Sequence, residues 1–318
     1  MATKYDQLME KESLLSDNDI LDIVLEKEQE MLEAVEDCFD GLINPVIIKG
    51  PPGTGKTEGI KILSKQMGIK SADWIATEWT KEEDGPAYPY TPGPIRNVDG
   101  ALIRGADYAP WALAADLYAN RNNGGALVLD DNDDILKDTV AVSMLMDATE
   151  QSVDKTVKYV KANTTHELQM MGVEPTFNVN TPIVILSNID MKLHVDYAQE
   201  KERTGGKPAP SYIKRWAALM SRGTYVDLHM NTPRSVRVFC EEKVRKVEML
   251  TNSEFLENKY GRSLTKDEAE ECMKWVRHNQ GSLSMPLDLR TYNKVAGIML
   301  RRKGEWEKSA KARLLKAV

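Results

Sequence analysis

The chain has 318 residues, 42% of them apolar and 29% charged, with a formal net charge of −7. That composition supplies a sizeable core and excludes collagen-like, low-complexity and wholly disordered chains, and the negative balance excludes a uniformly polybasic nucleic-acid binder. No run approaches the roughly 20 consecutive apolar residues that span a bilayer. The opening MATKYDQLMEKE lacks a basic-then-apolar signal, and Cys38, Cys240 and Cys272 stand too far apart for a disulfide framework or a CxxC metal site. A reducing, cytoplasmic compartment and no membrane partner are therefore expected. The charge is uneven: residues 1–40 carry thirteen acidic and three basic side chains, residues 294–318 eight basic and two acidic. Two solvated helix faces account for that, as does a polar subunit whose basic tail meets a neighbour's acidic head or a phosphate backbone.

In chain order, the spacing of Ile20, Val24, Met31, Val35 and Phe39 predicts a helix over 19–40, ended by Gly41 and Pro45. Pro45–Ile48 reads as a buried strand. A Gly/Pro-rich turn follows over Gly50–Thr57, then a helix with Ile60, Leu63 and Met67 on one side and Gly68 as its stop. Trp74–Trp79 is expected as a second strand. Residues 80–110, with five prolines, read as one long loop, functional or disordered. Trp111–Asn120 reads as a helix, Ala126–Asp130 as a buried strand, 154–181 as a polar β-prone stretch, Pro182–Asn188 and Tyr225–Leu228 as strands, and 198–211 as a mobile polar segment. Helices are expected near 233–251, 266–279 and 288–302. Strands alternating with helices imply a parallel α/β sheet, and the later run a smaller all-helical lobe. The domains are set at 1–42 (an acidic helical segment), 43–231 (the α/β domain) and 232–318 (the helical domain with its basic tail).

Gly50-Pro51-Pro52-Gly53-Thr54-Gly55-Lys56-Thr57 satisfies G-x-x-x-x-G-K-[ST] in full, with a strand before and a helix after. Its glycines let successive N–H groups curl around phosphate oxygens, and the helix start adds partial positive charge. Lys56 is placed to reach the outer phosphates and the Thr57 hydroxyl to hold Mg²⁺. Glu58, next in the chain, completes the nucleotide-binding set. Ala126–Asp131 ends a buried strand in two carboxylates, at the sheet edge where open α/β folds bind ligands. Asp130 is the second Mg²⁺ ligand and Asp131 the group that activates water.

With these motifs in hand, the chain resembles the AAA+ ATPases. The wording GPPGTGKT is typical of that family. Val184-Ile185-Leu186-Ser187-Asn188 resembles its sensor 1 strand, ending here in Asn188. Leu219-Met220-Ser221-Arg222-Gly223 before Tyr225-Val226-Asp227-Leu228 resembles the arginine-finger segment, with Arg222 in the finger position and Arg215 as its rival. Leu287-Asp288-Leu289-Arg290 resembles sensor 2, with Arg290 at the matching place. Within the family the chain is also similar to the ATPases of tailed bacteriophages, which would place it in a host cytoplasm. The resemblance covers residues 44–302. It implies a P-loop NTPase sheet followed by a helical lid, Mg-ATP as the ligand, and a homo-oligomeric ring or spiral, six-membered, in which a neighbour supplies the finger. One departure stands out: the family has Asp-Glu where this chain has Asp130-Asp131. The shorter acid implies a shifted backbone at Asp131, a base role shared with Asp133, or slow turnover.

The client is read less directly. Residues 80–110 stand where remodelling family members carry a pore loop, holding Tyr88-Pro89-Tyr90 with Arg96 and Arg104 to touch phosphates. The stretch 154–181 stands where DNA-acting members carry a hairpin, and Lys155, Lys158 and Lys161 near its start would face a nucleic-acid backbone. A surface loop and a solvated hairpin are the plain alternatives. Three functions stay open at this point: a motor that remodels a DNA or protein client, an ATP-gated assembly or loader switch with little turnover, and a small-molecule phosphotransferase.

Overall fold

The computed structural model describes residues 10–77, 91–105, 108–122, 124–152, 155–159, 168 and 172–316. The chain divides into two compact units. One, the sheet unit, holds Glu30–Lys49 and Lys56–Asp227. The other, the helical unit, holds the described residues before Glu30, the turn Gly50–Gly55, and the chain from Leu228 onward.

Helix α1 (Asp17–Phe39) gives residues to both. All five of its predicted apolar positions are buried, Ile20 and Val24 in the helical unit and Met31, Val35 and Phe39 in the sheet unit.

The sheet unit is built on β1 (Val46–Lys49), α2 (Lys56–Gln66), β2 (Lys70–Thr77), β3 (Thr91–Asp99), β4 (Leu102–Arg104), α3 (Pro110–Asn120), β5 (Leu127–Asp130), α4 (Asp133–Lys137), α5 (Thr139–Ala148), β6 (Thr156–Lys158), β7 (Thr176–Asn178), β8 (Ile183–Ser187), α6 (Met191–Arg203), α7 (Ser211–Met220) and β9 (Thr224–Asp227). Five strands form a parallel sheet in the order β4-β5-β8-β1-β9. Its three central strands are continuous apolar runs (VII in β1, LVL in β5, IVIL in β8), as expected where helices cover both faces. Leu113, Leu117, Met144, Leu145 and Trp216 pack into the same core.

The second strand of this sheet is not the predicted Trp74–Trp79. Lys70–Thr77 pairs antiparallel with Thr91–Asp99 as a separate ribbon, and the short Leu102–Arg104 takes the place beside β5. The reading of 80–110 as one loop is corrected accordingly, since β3 and β4 lie within it. Tyr88-Pro89-Tyr90 lie outside the described residues. The predicted polar segment 198–211 begins as the end of α6, whose start is capped by Asp190 accepting from the Leu193 N–H at 2.8 Å. Residues 156–158 and 176–178 pair antiparallel, so the β-prone stretch contains a two-stranded ribbon.

The helical unit contains α8 (Pro233–Lys246), α9 (Glu254–Tyr260), α10 (Lys266–Asn279), α11 (Leu289–Arg301) and α12 (Trp306–Leu314). Thr232, Thr265 and Asp288 each open a helix by a reciprocal capping box, with Ser235, Glu268 and Thr291 at the third position. Phe239, Val276, Tyr292 and Val295 form the buried faces. The acidic N-terminal segment serves this unit: Asp17 pairs with Arg234 and Arg237, and Glu28 with Lys243.

Cys38, Cys240 and Cys272 are buried free thiols, and burial pushes each up to about 12. Among the described residues no helix is long and apolar enough to cross a membrane.

Candidate functional site

The carboxyl edge of the parallel sheet gathers the polar groups of the sheet unit. β5 ends in Asp130, which accepts a hydrogen bond from Thr57 Oγ1 at 2.8 Å, so the first turn of α2 is tied to the end of β5. Lys56, the first residue of α2, is buried. Burial pushes its pKa down, and the carboxylates of Asp131 and Asp130 pull it back up. A buried ammonium between two acids, beside a hydroxyl–carboxylate pair of hard oxygens, is a donor set that fits Mg²⁺ with an anionic ligand.

Asp131 has φ 53°, in the left-handed region that Asp and Asn enter more readily than other side-chain-bearing residues. Its N–H donates to the Leu186 carbonyl at 3.1 Å, and its carboxylate accepts from Asn188 Nδ2 at 3.0 Å. The backbone at Asp131 is thus turned out of the extended conformation of β5. Burial raises the Asp131 pKa; Lys56 lowers it, and Asp130 and Asp133 raise it further. Asp133, the rival base, is held by Ser187 Oγ at 2.8 Å, and Asn132 donates to the Gly105 carbonyl at 2.7 Å.

A second cluster on the same edge was not anticipated. Lys49, the last residue of β1, bridges Asp227 at 3.1 Å and Asp190 at 3.7 Å. A lysine closing an apolar strand was its only signal in the sequence.

In the helical unit, Gly50–Gly55 forms a tight turn in which Thr54 Oγ1 donates to the Pro51 carbonyl at 3.1 Å, with Pro52 alongside on the exposed side. Gly53 has φ 69°, and a Cβ there would lie 2.6 Å from the Asp288 Cβ. The Leu289 N–H donates to the Gly53 carbonyl at 3.0 Å. Arg290 is exposed one residue further along α11. Glu58 points outward and pairs with Lys61 at 3.7 Å.

The structure therefore brings Lys56, Thr57, Asp130, Asp131 and Asn188 together in the sheet unit. Arg222 stands apart from them. It precedes β9, at the edge opposite the end of β5, three strands and about four residue rises from Asp130, on the order of 15–20 Å. Its guanidinium donates to the Met146 carbonyl, and the Arg222 carbonyl accepts from Gln151 Nε2 at 3.4 Å. Gly223 beside it admits no side chain, because a Cβ would meet the Pro45 carbonyl oxygen at 1.8 Å. Arg215 donates to the Thr139 carbonyl at the other end of α5.

The expected phosphate-touching role of Arg104 is corrected. Its guanidinium is committed to Asp116 and Asp73, each at 2.8 Å, and the Tyr108 hydroxyl donates to Asp116 at 2.5 Å. Burial works against the Arg104 charge, but the two carboxylates raise its pKa above the ordinary value. Arg96 also pairs with Asp73, at 2.8 Å, although its side chain is 63% exposed. Lys155 reaches Asn180 at 3.4 Å and Lys158 is exposed, while Lys161 lies outside the described residues.

No family model matches the chain, and no curated protein does. Two solved structures of NtrX from Brucella abortus, one of them in complex with ATP, are similar at 12% identity and a TM-score of 0.38 over 87% of this chain. The chain covers 51% and 53% of those NtrX chains, about half their length.

Proposed function

We propose that the chain is an ATPase of the AAA+ type that couples Mg-ATP hydrolysis to remodelling of a macromolecular partner. The observation that carries this reading is the Thr57–Asp130 hydrogen bond of 2.8 Å beside buried Lys56. It sets P-loop and strand-end oxygens together at the ligand-binding edge of a parallel sheet. Magnesium held by Thr57 and Asp130 would supply positive charge to the phosphate oxygens. Lys56 neutralises the outer phosphates, Asp131 takes the proton of the attacking water, and Asn188 fixes the Asp131 carboxylate. The remoteness of Arg222 from Asp130 in its own protomer supports its use in trans, as a finger in a neighbour's site within a ring or spiral.

The experiment is equilibrium binding and turnover of ATP by wild type and Lys56→Ala. Loss of a charged hydrogen-bond donor to phosphate is worth about 1.5–3 kcal/mol, so affinity should fall roughly 10- to 150-fold and turnover should vanish. Unchanged affinity and turnover would remove the assignment. A second reading, an ATP-gated switch with little turnover, is favoured by the Asn188 hydrogen bond that already occupies the Asp131 carboxylate. A wild type that binds ATP tightly but hydrolyses it at a background rate would establish that reading instead.

A further inference from the structure

We infer that the exposed cationic face at the end of the helical unit binds the phosphate backbone of duplex DNA, without reading its sequence. Helix α12 buries Trp306, Ala310 and Leu314, one residue per turn, which turns the rest of its surface to solvent. Arg302, Lys303, Lys308, Lys311, Arg313 and Lys316 are all exposed there. Three of them, Lys303, Lys308 and Lys311, line an open hollow of about 530 Å³ together with Glu305 and Glu307. The only acids in the same stretch are Glu305 and Glu307.

Several cations elsewhere in this unit are partnered, Arg234 and Arg237 by Asp17, Lys243 by Glu28 and Arg277 by Glu241. Among the described residues the six of the α12 face form no ion pair. The acidic N-terminal segment places Asp17 and Glu28 on α8 of its own protomer, so those two carboxylates are not available to cover the tail. The face is also firmly mounted. Ser284 N–H donates to the Leu314 carbonyl at 2.8 Å, and Lys316 N–H to the Ser282 carbonyl at 2.9 Å. Trp306, the aromatic of this helix, is buried, so the face offers no platform for stacking unpaired bases. What remains is a set of point charges suited to regularly spaced phosphates. This face names a partner class for the ATPase reading and rests on that reading only for its working role.

The test is fluorescence anisotropy of a labelled duplex of mixed sequence, without nucleotide, from low to physiological salt. A chain that fails to hydrolyse ATP can pass it, and an active ATPase can fail it. Wild type should bind with a Kd of about 10⁻⁴–10⁻⁶ M at physiological salt, with a log–log salt slope of about −0.9 per phosphate neutralised. Lys308→Gln with Lys311→Gln should weaken binding about tenfold at low salt and flatten the slope by about 2. Glutamine keeps the helix propensity near that of lysine, and an unchanged Tm shows that the fold is intact. The control Lys266→Gln with Lys274→Gln removes the same charge from exposed sites on α10 and should leave DNA affinity unchanged. No binding by wild type, equal weakening by both pairs, or loss of self-association with DNA affinity intact would each overturn the inference. The last outcome would assign the face to a second copy of the chain.

Discussion

In the proposed ATPase, Asp131 is the residue on which both the chemistry and its limits turn. Its left-handed backbone aims a short carboxylate that a regular extension of β5 would direct elsewhere. Asn, like Asp, is tolerated at that φ, so Asp131→Asn should preserve the fold while turnover falls about 10²–10⁴-fold, with ATP retained on the protein. Retained wild-type turnover would move the base role to Asp133. Burial raises the Asp131 pKa, so its proton-accepting form is lost on acidification earlier than for a free aspartate, which titrates near about 3.9. The acid limb of the pH–rate profile should therefore lie above that value and vanish in Asp131→Asn. Lys56 and Thr57 were legible because a fixed spacing, strand before and helix after, names them, and Asp130 because it closes an apolar strand. The turned backbone of Asp131 and the Ser187–Asp133 hydrogen bond were not, since both arise from β8 packing beside β5, at residues more than fifty positions apart.

At the scale of elements, β1, β5 and β8 were readable as unbroken apolar runs, whereas β4 was not. Three residues beside a β2–β3 ribbon carry too little pattern to separate them from loop. What fixes that region is charge. Arg104 on β4 joins Asp73 on β2 to Asp116 on α3, and Asn120 clamps Ala72 through its N–H at 2.7 Å and its carbonyl at 3.1 Å. Such pairing needs residues 12 to 48 positions apart, which no local periodicity reveals. The Asp116 side chain is only 3% exposed, so Arg104→Ala strands a charge in the core. Denaturant unfolding should show a loss of about 3–5 kcal/mol, and adding Asp116→Asn should recover much of it. A loss below 1 kcal/mol would mean that the ribbon is held by its backbone pairing alone.

At the scale of the molecule, the proposed trans role of Arg222 would make hydrolysis a property of the assembly. With Arg222 on the order of 15–20 Å from the Asp130 of its own chain, that proposal predicts that turnover per subunit rises with protein concentration. Arg222→Ala should keep ATP binding and lose about 10³–10⁵ in rate. Mixing it with Asp131→Asn subunits, which keep Arg222, should restore part of that rate. If no mixture recovers activity, or if the finger role passes to Arg215, the trans assignment fails. The three sealed thiols have a practical consequence for all such work. Cys38 sits in one unit, and Cys240 and Cys272 in the other. A thiol alkylating reagent at neutral pH finds none of them in the native molecule. Mass-resolved labelling rates thus time the breathing of each half separately, using labels the chain already carries.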